Sequence, residues 1–134
     1  MLYKLTNLTQ LYLYETYVSD LSPLAQMENL QTLNIRDANV SDISALENLK
    51  NLIVLNAKDN DIVDVSPLVG NTELQELWLD NNQIQTVEPL RTLVFLRMLG
   101  ISGNPVTDFT PLERHPYLET FFREQISPSP LMYL

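Results

Sequence analysis

Apolar residues recur along this chain at a fixed interval of 22. Leu8, Leu30, Leu52, Leu74, Leu96 and Leu118 stand in one column, and three residues on come Leu11, Leu33, Leu55, Leu77, Leu99 and Phe121. Leu13, Ile35, Ala57, Leu79 and Ile101 follow two residues later, then Val18, Val40, Ile62, Ile84 and Val106. Leu21, Ile43, Val65, Val87 and Phe109, with Leu24, Leu46, Leu68, Leu90 and Leu112, complete the set. No insertion or deletion breaks the phase between residues 8 and 118. A period of this size means one small unit per repeat. Each unit is too short to bury its apolar face alone, so copies stack into a shared core.

Spacing inside a unit predicts its elements. Around Leu11-Tyr12-Leu13, and at the same place in every later copy, apolar and polar residues alternate, which is the pattern of a half-buried strand. Copies stacked about 4.8 Å apart make a parallel sheet. In the second half of the unit, Ser22-Pro23, Ser66-Pro67, Glu88-Pro89 and Thr110-Pro111 read as an N-cap with Pro at the first helical position. Only a 3₁₀ turn or a one-turn helix fits there. Asn60, Asn82 and Asn104 fall at the bend after the strand, where an amide can satisfy backbone groups of neighbouring copies. Thr16 and Ala38 hold that place in the first two copies, so the ladder is expected to be weaker there. The expected fold is α/β, a right-handed solenoid with short parallel strands on its concave face and 3₁₀ or one-turn helices on its convex face. It should occupy residues 1–126, with about five full repeats from Leu8 and a partial one at each end. Residues 127–134 form a separate tail, since Ser127-Pro-Ser-Pro130 is extended and linker-like.

Composition narrows the chemistry. The 134 residues carry a formal charge of −9 and a sequence pI near 4.3, with 45% hydrophobic residues and a mean hydropathy of −0.07. An acidic surface repels phosphate backbones and anionic headgroups, so no nucleic acid is expected as partner, and no apolar run is long enough for membrane insertion. With no Cys and one His, the chain lacks disulfides, thiolate metal sites and paired imidazoles. No metal and no cofactor is expected, and no enzyme, because no acid–base pair, nucleophile motif or glycine-rich phosphate loop stands in the sequence. Met1-Leu2-Tyr3-Lys4 lacks the layout of a signal peptide, which points to the cytoplasm for the chain as written. The cell surface becomes the expectation if the chain is a piece of a longer one.

The run Leu74-Gln-Glu-Leu77-Trp-Leu79-Asp-Asn-Asn82-Gln-Ile84 resembles the consensus of the leucine-rich repeat family. The 22-residue length and segments such as Ser41-Asp-Ile-Ser-Ala-Leu46 and Val63-Asp-Val-Ser-Pro-Leu68 look most like internalins and the protein-phosphatase regulatory repeat proteins. Gly103-Asn-Pro-Val106 and His115-Pro-Tyr-Leu118 are similar to the capping repeat of the latter group. The likeness covers roughly residues 2–122. It implies a recognition scaffold that binds a protein partner, either inside the cell or as a surface-displayed adhesion module of internalin type. Internalins carry a signal peptide and a helical N-terminal cap, and the sequence shows neither. A third expectation, a solenoid that forms a homo-oligomer through its uncapped N-terminal end, follows from Leu8, Leu11 and Leu13, which nothing upstream covers.

Strand residues facing away from the leucines line the concave side, where packing does not dictate their identity. Tyr12, Asn34, Asn56, Trp78, Gly100 and Phe122 share one column; Met98 belongs to the column before it, and Tyr14, Arg36, Lys58 and Asp80 to the column after it. Trp and Tyr are the residues most enriched at binding hot spots. Trp78 with Met98 and Phe122 should therefore form one partner-binding patch, Gly100 leaving a step beside the indole. Tyr12, Tyr14 and Tyr17 should form a second. Arg36 and Lys58 are expected to screen Asp37 and Asp59 within an acidic stripe that includes Glu15 and Asp61. Asp20, Asp42, Asp64 and Asp108 precede the convex turns and should bond nearby N–H groups. His115 stands in the column of Met27, Leu49 and Leu93, as Asn71 does, and is expected to be a hydrogen-bonded structural residue.

Overall fold

A computed structural model describes residues 6–118. Strands β1 (Gln10–Tyr12), β2 (Thr32–Asn34), β3 (Val54–Asn56), β4 (Glu76–Trp78) and β5 (Met98–Gly100) form one parallel sheet in sequence order. Each pairs with the next in strict 22-residue register: Leu11 lies against Leu33, then Leu55, Leu77 and Leu99. Between strands run turns at Ser22–Gln26, Ser44–Leu46, Ser66–Gly70, Glu88–Thr92 and Thr110–Leu112. All five are 3₁₀, and successive turns pack on one another. The core lies between sheet and turns. Leu30, Leu33, Ile35, Leu46, Leu52, Leu55, Leu68, Leu74 and Leu77 are fully shielded there, as are Leu79, Leu90 and Leu96, while Leu118 at the far end is partly buried. In the first coil Leu8, Leu11 and Leu13 are only half-buried against that core. The tail 127–134 and residues 1–5 lie outside the described residues.

The ladder between coils continues past the strands. Leu13 N–H donates to Asn34 O at 2.7 Å and Glu15 N–H to Arg36 O at 2.9 Å, and the same pairs recur from Ile35, Asp37, Ala57, Asp59, Leu79 and Asn81. Glu15, Asp37, Asp59, Asn81 and Gly103 all take left-handed backbone angles, with φ between 51° and 73°. That conformation bends the chain off the sheet at one residue per coil. Asp, Asn and Gly suit it, since short polar side chains and glycine tolerate positive φ. The acidic stripe expected at Glu15, Asp37 and Asp59 is thus also the column of bend residues. Asn39 adds a second left-handed residue (φ 60°) in the coil where Ala38 replaces the bend asparagine.

The asparagines bolt coils together as their spacing suggests. Asn82 Nδ2 donates to Leu79 O at 2.9 Å in its own coil and to Ala57 O at 3.0 Å one coil back, while its Oδ1 accepts Ile62 N–H at 3.0 Å. Asn104 repeats the arrangement on Ile101, Leu79 and Ile84. Asn60 does so on Ala57 and Ile35, and its oxygen accepts from both Ala38 and Val40. At Thr16 the hydroxyl donates to Leu13 O at 2.6 Å and accepts Val18 N–H at 3.4 Å, both within its own coil. No side chain at Ala38 can reach back to the first coil, so at the bend the first two coils have no amide bolt between them.

Capping of the convex turns differs from expectation. Ser22, Ser66, Glu88 and Thr110 are the first residues of their turns rather than N-caps, and the capping positions belong to Leu21, Val65, Val87 and Phe109. Those caps carry apolar side chains drawn toward the core and make no side-chain cap bond. The residue before each cap takes over instead. The Oδ1 atoms of Asp20, Asp42, Asp64 and Asp108 accept N–H from Ser22, Ser44, Ser66 and Thr110 at 2.8–2.9 Å. Thr86 fills the same place with its hydroxyl, 3.1 Å from Glu88 N. The aspartate column is therefore turn chemistry, as its spacing suggests. The backbone N–H two residues on holds each of these carboxyls below the ordinary carboxylate range, with the hydroxyl of Ser22, Ser44, Ser66 or Thr110 adding to it.

Two predictions follow from these bonds. Asn82→Ala strands the buried Ile62 N–H and takes one of two amide donors from each of Leu79 O and Ala57 O. It should lower unfolding free energy by about 3 kcal/mol, against less than about 1 kcal/mol for Thr16→Ala. Urea titrations followed by circular dichroism measure both, and equal losses would refute the bolt. The second concerns acid. Carboxyls whose folded-state pKa is depressed contribute stability that is complete above the unfolded value, near 3.8 for Asp, and lost as pH falls through the folded value. Replacing Asp20, Asp42, Asp64 and Asp108 together by Asn keeps an acceptor oxygen at each turn but nothing to titrate. The variant should lose less stability than the native chain between about pH 5 and pH 2.5. Parallel pH profiles would show that the aspartates do not govern acid unfolding.

Candidate protein-binding face

The outward side of the sheet is set by alternation along three-residue strands. In β4 the buried Leu77 is flanked by Glu76 and Trp78, which point away from the core. Register places Trp78 between Asn56 on β3 and Gly100 on β5, and sets Met98 of β5 against Glu76. Trp78 and Met98 are both half-buried. Gly100 is what lets the indole lie flat: a Cβ built there would come 2.6 Å from Trp78 Cε3 and would also run into the Asp80 carboxylate. The step expected beside the indole is in fact covered by its edge.

Charged residues around the indole separate into distinct roles. Arg36 Nε donates to Asp59 Oδ2 at 3.1 Å, one coil on, and Asn81 Nδ2 donates to Asp59 Oδ1 at 2.8 Å. These contacts, Asn81 foremost, hold the Asp59 carboxyl below its ordinary range. Lys58 makes no ion pair with Asp59; its Nζ lies 4.9 Å from the centre of the Trp78 ring, a cation–π contact. The expected screening of Asp59 by Arg36 and Lys58 is thus realised by both, Arg36 through a direct bond and Lys58 through its charge at longer range, while the Lys58 ammonium itself sits against the indole. Asp80 is nine-tenths buried and takes a 2.7 Å hydrogen bond from Ser102 Oγ. Asn56 turns inward to its own chain, its Oδ1 accepting Lys58 N–H at 3.2 Å, as Asn34 does for Arg36. Its role at the face is to fix the strand end from which Lys58 projects.

Tyr12, Tyr14 and Tyr17 are exposed by 54%, 51% and 89%, so the second aromatic group at the first coil is open to solvent. Phe122, expected to extend the Trp78 patch, lies outside the described residues. One aromatic pair escaped the reading of the strands. Phe95 and Tyr117 stack with ring centres 6.4 Å apart on the flank of the solenoid, beside Gln75 and Arg97. Their column begins Asn7, Asn29, Asn51, and two of these asparagines donate to the previous coil, Asn29 to Thr6 O and Asn51 to Glu28 O. The change from Asn to aromatic within one column was a visible signal.

The single imidazole is committed to the framework. His115 Nε2 lies 2.9 Å from Leu90 O, and since a carbonyl only accepts, that nitrogen carries the proton. Asn71, fully buried, donates in the same manner to Leu46 O and Leu49 O. Among the described residues no group of three or more acidic or imidazole side chains converges as a metal site, and no helix is long and apolar enough to cross a membrane.

Comparison with known proteins agrees with this geometry. The profile described as Leucine Rich repeats (2 copies) matches residues 6–48, 50–92 and 72–114. Internalin C2 from Listeria monocytogenes superposes with a TM-score of 0.86 at 35% identity, over 87% of this chain and 52% of that one. The internalin inlF of the same species gives 0.85 at 30% identity, over 87% and 34%. A leucine-rich repeat protein of Leptospira interrogans, LIC12759, gives 0.80 at 22% identity and shares the fold. The chain thus spans about half, or less, of the length of these relatives. No curated protein matches it. By its repeats, its register and its likeness to the internalins, the chain belongs to the leucine-rich repeat family.

Proposed function

We propose that this chain is a non-catalytic module that binds a protein partner on the concave face of its sheet, through a patch centred on Trp78 and Met98. The observation that carries this is the indole itself. It is the single Trp of the sequence, and it stands half-buried at the end of β4 on the outward sheet face, where no core contact requires it. Large aromatics that keep exposed area on a rigid surface lose little conformational entropy on binding and dominate interface energetics. Lys58 and Asp80 frame the patch, and Arg36, paired with Asp59, lies at its border. Tyr12 and Tyr14 offer a second contact zone four coils' width of sheet in all, reaching from β1 to β5. The neighbourhood of internalins supports a scaffold role of the same kind.

A second reading, a surface-displayed module of internalin type, is favoured by the 35% identity to internalin C2. It uses the same face and differs only in where the partner is met. Antibody labelling of intact cells of the source organism separates the two.

Removing the patch tests the proposal. Trp78→Ser with Met98→Ser should leave the far-UV circular dichroism unchanged and weaken partner capture from the native source by tenfold or more, about the loss expected on truncating a hot spot. Undiminished recovery of every partner would overturn the concave patch as the site.

A further inference from the structure

Among the described residues, Asp80 is the charged group with a buried side-chain atom left without a hydrogen-bond partner. Its Oδ1 accepts from Ser102 Oγ, but Oδ2 is shut from solvent and has no hydrogen-bond donor. That oxygen points into the space over Gly100, the place a Cβ would occupy, and the Trp78 edge closes the same space. Two cations of the neighbouring coils are engaged elsewhere among the described residues: Arg36 on Asp59, and Lys58 on the indole. A buried carboxylate oxygen without a donor is costly, and its best complement is an N–H that carries positive charge. An indole beside it adds a face that favours a cation.

We infer that Asp80, Trp78 and Gly100 form a socket for a basic side chain, lysine or arginine, supplied by the protein partner. The inference rests on the concave face being the binding face and names the chemistry it reads. Gly100 has no Cβ to obstruct the indole, so a side-chain rotation of Trp78 uncovers Oδ2, and the incoming cation gains both the carboxylate and the ring. A metal ion is a poor occupant, because one carboxylate and one hydroxyl fall short of the six or more oxygens that calcium takes. A net charge of −9 further favours a basic partner surface.

Sole possession of a Trp makes the test direct. The blocked tripeptide Gly-Arg-Gly and its citrulline counterpart, equal in shape but neutral, are titrated against the intact chain while Trp78 fluorescence and the indole N–H resonance are followed. The arginine peptide should bind roughly fivefold more tightly than the citrulline one, the advantage of one charge-assisted hydrogen bond. Asp80→Asn should abolish that preference, and Asp64→Asn, which removes an equal charge from the convex side, should preserve it. Equal binding of the two peptides, or a preference that Asp64→Asn lowers as much as Asp80→Asn, overturns the socket. Partner capture then distinguishes the levels. If Trp78→Ser loses the partner while Asp80→Asn retains it in full, the binding face stands and the socket falls; if neither variant loses it, the face itself falls.

Discussion

Backbone groups in the bend after each strand have no sheet to pair with, and the structure depends on how they are satisfied. A coil that leaves the sheet buries carbonyls at its corner, and an unpaired buried carbonyl costs on the order of 1–3 kcal/mol. The asparagine amide resolves this with one side chain, donating to its own coil and to the coil before it, and accepting an N–H in addition. Such reach works only if the previous corner lies one coil below in the same orientation. The amide ladder therefore demands equal coil lengths, and the unbroken 22-residue phase of the chain is its sequence counterpart. Leucine packing alone would tolerate more variation, since apolar contacts are non-directional.

That demand also explains the column of left-handed residues. The bend must turn the chain sharply while keeping its N–H aimed at the next coil's carbonyl, as Glu15, Asp37, Asp59 and Asn81 all do. Positive φ achieves both in one residue. Where Ala38 replaces the asparagine, the corner is reshaped by a second left-handed residue at Asn39, and Asn60 of the following coil reaches back to both Ala38 and Val40. The stack repairs a weak corner from one side only, which leaves the first coil the least firmly joined.

Periodicity made the fold legible because it reports spacing, and spacing is what stacking constrains. Core columns, strand register and the asparagine ladder could all be read from residues 22 apart. Features within a coil were less legible. The Ser-Pro pairs resembled helix caps, yet packing draws Leu21, Val65, Val87 and Phe109 into the cap position and passes the capping task to the residue before, an aspartate or, ahead of Val87, Thr86. Side-chain partners on the outward face were the hardest to foresee. Arg36 and Lys58 share a column and a charge, but one turns to a carboxylate and the other to an aromatic ring, a choice made by the neighbours Asp59 and Trp78 rather than by either cation. Phe95 and Tyr117 were readable in principle, in a column outside the strands.

The same constraint that rigidifies the corners frees the sheet's outward face. Since register is held by the bends and the core, the residues at positions 56, 78 and 100 can pass from amide to indole to glycine without altering the backbone beneath them. Such freedom lets neighbouring strands supply opposite shapes, a large side chain lying over a residue without one, at a fixed separation of about 4.8 Å. Binding by such a surface requires little ordering of the scaffold, which is where protein association usually loses much of its contact energy. Under the proposed binding role, specificity rests on a few side chains, with Asp80 the plainest case. Its unpaired oxygen is buried because the coils around it hold the carboxylate over Gly100, under the edge of the indole.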